Sequence, residues 1–181
     1  MIRFIRLNIK VIYVIIIFFA VLMILFAFLI LEKAPKPEGI IKKPTDMRAD
    51  TPLFKVYIVR YPTTGNITEL NLENRTLRVG ISTDRDELNF GVIPQNLSVR
   101  KFLNLKNKRD SRARVCIRAY GTISDFIKIK DSDFVMERGE SREIELVFTG
   151  DSVGNYSGEI DVITKKPKYQ LLEFLLPIVG C

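Results

Sequence analysis

Residues 113–121 read ARVCIRAYG, and this stretch indicates the fold more clearly than any other part of the chain. Apolar residues alternate in it with charged or polar ones until a glycine ends the pattern. Successive side chains of a β-strand point to opposite faces of a sheet, so the alternation predicts a strand with one face in a core. The predicted core-facing residues are Ala113, Val115, Ile117 and Ala119.

Similar short apolar stretches lie on both sides of this strand and are separated by turn-forming residues. No helical period is visible after residue 51. This spacing predicts an all-β fold, an antiparallel immunoglobulin-like β-sandwich formed by one domain, residues 52–181. The predicted strands lie at 53–59, 77–81, 88–92, 99–105, 113–121, 127–129, 144–148 and 160–162.

The last apolar stretch, LLEFLLPIV at residues 171–179, is apolar at both parities. A strand with one face in water would alternate, so we expect both sides of this segment to be covered. Residues 52–75, which could add strands to a sheet edge, would be one cover. A membrane surface, another protein or a second copy of the chain would be the others.

Near the N-terminus, residues 11–31 read VIYVIIIFFAVLMILFAFLIL and contain neither a charge nor a proline. As a helix this stretch would reach about 31 Å, close to the ~30 Å hydrocarbon core of a bilayer. It is longer than the roughly 7–15 apolar residues of a cleaved signal peptide, so it predicts a retained single transmembrane helix. Residues 1–10 would then be a basic tail, and residues 32–51 a Pro/Lys-rich spacer.

Four Asn-x-Ser/Thr sequons follow this apolar stretch, and glycosylation requires an external domain. We therefore expect a cell-membrane location, with the N-terminus cytoplasmic and the C-terminal domain extracellular. The sequon asparagines are Asn66, Asn74, Asn96 and Asn155. An oxidising exterior would also allow a disulfide between Cys116 and Cys181, with two free thiols as the alternative.

The other face of the strand at 113–121 is basic. Arg112, Arg114, Arg118 and Tyr120 share its parity, together with Cys116. Such a face could bind an acidic partner. Alternatively, its arginines could pair with Glu143 and Glu145 on a neighbouring strand.

Composition argues against several functions. The chain has no histidine, so it lacks the commonest general base and metal ligand. Its net charge of +7 is modest and comes partly from the N-terminal tail, so nucleic acid is not an expected partner. The acidic residues at 84–87 and 131–133 lack the spacing of a calcium loop. We expect no catalytic residues, no cofactor and no metal.

Residues 86–94, DELNFGVIP, and 99–107, VRKFLNLKN, resemble the first strands of immunoglobulin-like domains of the ASH/MSP/hydin kind. Residues 134–141, FVMERGES, and 154–160, GNYSGEI, extend the resemblance over about 76–164. The resemblance implies a sandwich like those of archaeal membrane-anchored cell-surface proteins.

These observations predict a non-enzymatic, single-pass surface protein whose sandwich binds another protein or envelope component. The alternative is an anchored accessory subunit of an archaellum-like envelope machine. A hydrolase is the third and least favoured reading, because neither G-x-S-x-G nor H-E-x-x-H occurs.

Overall fold

The computed structural model describes residues 9–30, 39, 41, 43–69, 87–108 and 110–180. Over these residues the chain forms one α-helix, α1 (Ile9–Ile30), nine β-strands and two 3-10 helices. The strands are β1 (Thr45–Asp50), β2 (Phe54–Thr68), β3 (Leu88–Pro94), β4 (Ser98–Lys106), β5 (Ala113–Gly121), β6 (Ile127–Ile129), β7 (Asp133–Met136), β8 (Ser141–Thr149) and β9 (Gly154–Pro167). The 3-10 helices are η1 (Ser124–Phe126) and η2 (Gln170–Ile178).

The strands form two sheets, and nearly all neighbouring strands are antiparallel. The larger sheet has the order β1-β2-β9-β5-β7, and β3 also pairs with β2; the smaller has the order β4-β8-β6. One pair departs from the predicted antiparallel arrangement, because β3 runs parallel to the second half of β2. Residues 52–75 were expected at a sheet edge, but β2 lies inside the larger sheet, between β9 on one side and β1 and β3 on the other.

The main core fills the space between the two sheets. From β8 it receives Phe148, Leu146 and Ile144, and from β5 it receives Val115 and Ile117. Alternate residues of β9 complete it with Ile160 and Val162. The alternation read from the sequence of β5 is confirmed, since Ala113 is also buried and Ala119 packs against the cluster.

The prediction of a transmembrane helix at 11–31 is contradicted. Residues 9–30 do form α1, but among the described residues no helix is long and apolar enough to cross a membrane. On this finding the fold-class prediction is wrong in its helical part.

Two further expectations differ from the structure. Strand β1 lies in the region predicted as a spacer, and its pairing with β2 from Thr45↔Arg60 to Asp50↔Lys55 makes it part of the sheet. The segment at 171–179 is not a strand, because it forms η2, with Pro177 inside the helix. The strand predicted at 77–81 lies outside the described residues.

Two phenylalanines on paired strands give a matched test of this core. Phe148 on β8 is fully buried, and its ring centroid lies 5.3 Å from that of Phe90. Phe102 on β4 is 54% exposed. We expect Phe148→Ala to lower the free energy of unfolding by about 3–5 kcal/mol, and Phe102→Ala by less than about 1 kcal/mol. Urea unfolding followed by circular dichroism measures both, and equal losses would show that the register of β4 on β8 is wrong.

Candidate interaction surfaces

The larger sheet has a second face, turned away from the smaller sheet, which we call the outer face. Alternate residues of β2, β9 and β5 point to it, and the strand register aligns them in rows across the sheet. One row is charged, with Arg60, Asp161 and Arg118 side by side; the next is mostly apolar, with Ile58, Ile163 and Cys116. This face was expected to be in contact with water.

Instead, much of the outer face is buried. Val56, Ile58, Cys116 and Ile163 form an apolar cluster whose members are at most 2% exposed. Cys116 is disulfide-bonded. Its Sγ lies 3.7 Å from Asp133 Oδ1, which is a packing contact because a disulfide sulfur carries no proton to donate. Cys181 lies outside the described residues, so the predicted pairing of Cys116 with Cys181 stays a prediction.

The arginines of the predicted basic face pair with carboxylates of the same domain. Arg114 Nε lies 2.8 Å from Asp133 Oδ1, and Arg118 Nη2 lies 3.8 Å from Asp133 Oδ2. Arg112 Nη2 lies 2.8 Å from Glu137 Oε1. These contacts favour internal pairing over an acidic ligand, but the expected partners were wrong.

The two glutamates expected as partners, Glu143 and Glu145, lie on β8 in the other sheet. There Glu145 pairs with Arg100, at 3.2 Å. Tyr120, the fourth residue of the predicted face, is half-buried. Its pKa is raised first by burial and then by the nearby Asp161 carboxylate.

Sequence reasoning missed a buried charged cluster on the outer face. Glu159 is 1% exposed and Asp161 is 0% exposed, and Arg60 Nε lies 3.4 Å from Asp161 Oδ2. The backbone N–H of Ile41 donates to Glu159 Oε2 at 3.3 Å, so the chain ahead of β1 contacts this cluster. The sequence signal was present, since these carboxylates alternate with the core residues Ile160 and Val162, but that pattern is equally typical of a strand face in water.

Burial controls the electrostatics of this cluster. It raises the pKa of Asp161 to about 6, because removing a carboxylate from water disfavours the charged form. Arg60 opposes this rise in the pKa of Asp161, and Glu159 adds to it. Both carboxylates are closed to solvent, since Glu159 is 1% exposed and Asp161 0%.

A cleft between the sheets is one concave feature of the described residues. Its volume is about 220 Å³, and its polar lining includes Tyr57, Tyr61 and Lys166. Lys166 Nζ donates to Asn107 Oδ1 at 3.1 Å and is thus held at the wall. This volume lies below the roughly 300–1,000 Å³ typical of small-molecule sites. A second cavity, of about 370 Å³, lies within that range and is lined by residues that include Asn66, Asn89 and Asn155. Among the described residues there is also no group of three or more side chains suited to hold a metal ion.

The C-terminal helix η2 presents two different apolar faces. Leu175, Leu176 and Val179 point inward and pack on Phe54 at the start of β2. The outward residues form what we call the apolar ridge: Tyr169, Leu171, Phe174 and Ile178, exposed by 66%, 82%, 66% and 60%. The expected cover by residues 52–75 therefore exists for one face of the segment, whereas the other face is exposed.

Polar contacts fix η2 to the sheet. Arg114 Nη1 donates to the backbone carbonyl of Pro177 at 3.2 Å. Arg138, in the turn after β7, forms an ion pair of 3.1 Å with Glu173. The ridge is thus attached to the domain on both sides of its exposed residues.

The sequon asparagines gather at the opposite end of the sandwich. Asn66 and Asn155 are directly paired in the register of β2 and β9. Asn96 lies in the turn between β3 and β4, where its N–H donates to the carbonyl of Gly150. Along β9, Asn155 and Pro167 are about 40 Å apart at 3.3 Å per residue, so these sites are far from η2. Asn74 lies outside the described residues.

Comparison with known proteins gives no relative: no protein family, no curated protein and no solved structure matches the chain. Function must therefore be inferred from the surfaces themselves.

The raised pKa of Asp161 predicts a pH-dependent stability. With a folded pKa of about 6 against 3.8 for the ordinary carboxyl, the folded state binds more protons than the unfolded chain between these values. The free energy of unfolding contributed by this group should therefore fall as pH rises from about 4 to about 6, by an amount on the order of 2–3 kcal/mol. Asp161→Asn should abolish that fall.

The measurement is the difference between the wild-type and variant unfolding free energies from pH 4 to pH 8. Asp125→Asn serves as the control, because Asp125 is exposed. If the difference in unfolding free energy between wild type and Asp161→Asn does not change with pH, the pH dependence does not come from Asp161.

The pairing of Cys116 with Cys181 can be tested by alkylation. Alkylation of the denatured, unreduced chain should label neither cysteine, and labelling after reduction should reach both. Peptide mapping should then find Cys116 linked to Cys181 within one chain. A free thiol at either position in the unreduced protein would refute this pairing.

Proposed function

We propose that the chain is a non-enzymatic protein-binding module of the cell envelope, and that the apolar ridge of η2 is its contact surface. The observation that carries the proposal is the exposure of Leu171, Phe174 and Ile178 on a helix whose opposite face is anchored in the core. Adjacent exposed apolar side chains rimmed by charges are typical of protein interfaces.

Two features support a setting outside the cytoplasm. A disulfide-bonded cysteine is typical of proteins in oxidising compartments. The sequon residues Asn96 and Asn155 are exposed, so a glycosylating enzyme could reach them.

Binding rather than catalysis is supported by the chemistry of the domain. The chain has no histidine, and its pair of neighbouring carboxylates, Glu159 and Asp161, is closed to solvent. The arginines Arg112, Arg114 and Arg118 already face carboxylates of the same domain. The ridge differs from these surfaces, because its apolar side chains are exposed and available to another protein.

The test compares Phe174→Asp with Val153→Asp. Both replace an exposed apolar side chain, but Val153 lies before β9, at the end of the sandwich away from the ridge. In blue native electrophoresis of the full chain extracted from its host in mild detergent, wild type and V153D should migrate as a complex. F174D should migrate as the 20.8 kDa chain alone, with an unchanged melting temperature.

A stoichiometric second protein in that complex would identify the chain as a subunit of an envelope assembly. A complex of wild-type size in F174D would refute the ridge as the contact surface.

A further inference from the structure

We propose that the partner bound by the apolar ridge is a second copy of this chain, docked ridge to ridge about a two-fold axis. The inference rests on the proposed function, because it names the partner of the same surface. In such an isologous contact the same patch is used by both subunits, so the patch must be complementary to itself.

The size of the ridge fits a two-fold contact. Its four side chains, Tyr169, Leu171, Phe174 and Ile178, are each 60% exposed or more. With about 150–250 Å² for a large side chain, the ridge exposes on the order of 500 Å². Burying it on two copies removes about 1,000 Å² from water, which is about the threshold for a biological interface and in the range of weak, transient ones. A partner that covered only part of the ridge would bury less than this threshold area.

The charges at the rim are complementary to a copy of themselves. Arg138 and Glu173 lie side by side at 3.1 Å, next to Phe174. At the other end, Lys168 precedes Tyr169 and lies near Asp50, whose pKa is lowered first by Arg48 and further by Lys168. Each end of the rim therefore carries both signs of charge. The Arg138 side chain is 47% exposed and that of Glu173 13%. A partner of uniform charge would meet a like charge at either end, whereas a rotated copy can bring Arg138 to the exposed edge of the Glu173 carboxylate of the second molecule.

The ridge is also fixed in shape before it meets a partner. Leu175, Leu176 and Val179 anchor η2 on Phe54, and Arg114 holds the carbonyl of Pro177. Little backbone entropy therefore remains to be lost on docking, which favours association through a small surface. The sequon residues Asn66, Asn96 and Asn155 lie at the far end, so glycans there would leave the ridge uncovered.

The first experiment places a photo-crosslinking benzoylphenylalanine at position 174 of the full chain and irradiates intact cells. We expect an adduct of twice the 20.8 kDa chain mass that contains this chain alone. The same probe at Val153 is the control for copies that are brought near one another through α1 rather than through the ridge. At position 153 we expect no dimer adduct.

An adduct at position 174 with a different protein would overturn self-association and leave the proposed function standing. The absence of any protein adduct at position 174 would overturn both. A dimer adduct of equal yield at 153 and 174 would show that the copies are near one another without a ridge contact, and would overturn the two-fold docking.

The second experiment uses the charges of the rim. Arg138→Glu leaves two acidic residues at this end of the ridge, and Glu173→Arg leaves two basic ones. Each variant alone should dimerise about tenfold more weakly than wild type, because like charges would meet across the axis. A mixture of the two variants should recover the wild-type dissociation constant by forming heterodimers, as measured by native mass spectrometry of detergent-solubilised full chains. If the mixture associates no better than the separate variants, ridge-to-ridge docking is refuted.

Discussion

The pairing of β2 with β9 is the contact on which the rest of the domain depends. The two strands pair continuously from Phe54↔Pro167 to Ile67↔Gly154. Among the described strands, β1 and β3 join the larger sheet through β2, and β5 joins it through β9. The inner residues of this pair contribute Ile67, Ile160 and Val162 to the main core, and its outer residues contribute Ile58 and Ile163 to the second apolar cluster. The register of one strand pair therefore sets both faces of the sheet.

The buried charges make that register specific. An ion pair removed from water gains little net stability, because desolvation of both ions offsets their attraction. Arg60 and Asp161 nevertheless face each other only in the observed register, and a slip of one residue would turn one of them toward the apolar core. The apolar pair Ile58↔Ile163 in the next row stabilises the same alignment by burial. Stability and specificity thus come from neighbouring rows of the same two strands.

The sequence predicted the β class and located several strands, but it missed β1 and β7 and made β2 and β9 too short. It also failed where the answer depends on distant residues. Alternation at 113–121 correctly identified Val115 and Ile117 as core, because a strand's period is a local property. It could not show that the opposite face is also covered, since alternation separates two faces without saying which of them meets water. For the same reason Cys116 was predicted to point away from the core, and its burial on the outer face was not foreseen. The position of β2 inside the sheet was also hidden, because pairing partners are set by contacts far apart in sequence.

The segment at 171–179 shows what composition can and cannot decide. Apolar residues at both parities predicted cover on both faces, but the structure covers one face and leaves the other exposed. They did not determine the backbone, because without a ladder partner, and with Pro177 present, the segment forms a 3-10 helix. The helix divides its apolar residues between Phe54 and the surface, so the ridge depends on the first residue of β2 for its support. The shape of the proposed contact surface therefore depends on the sheet that supports η2 from below.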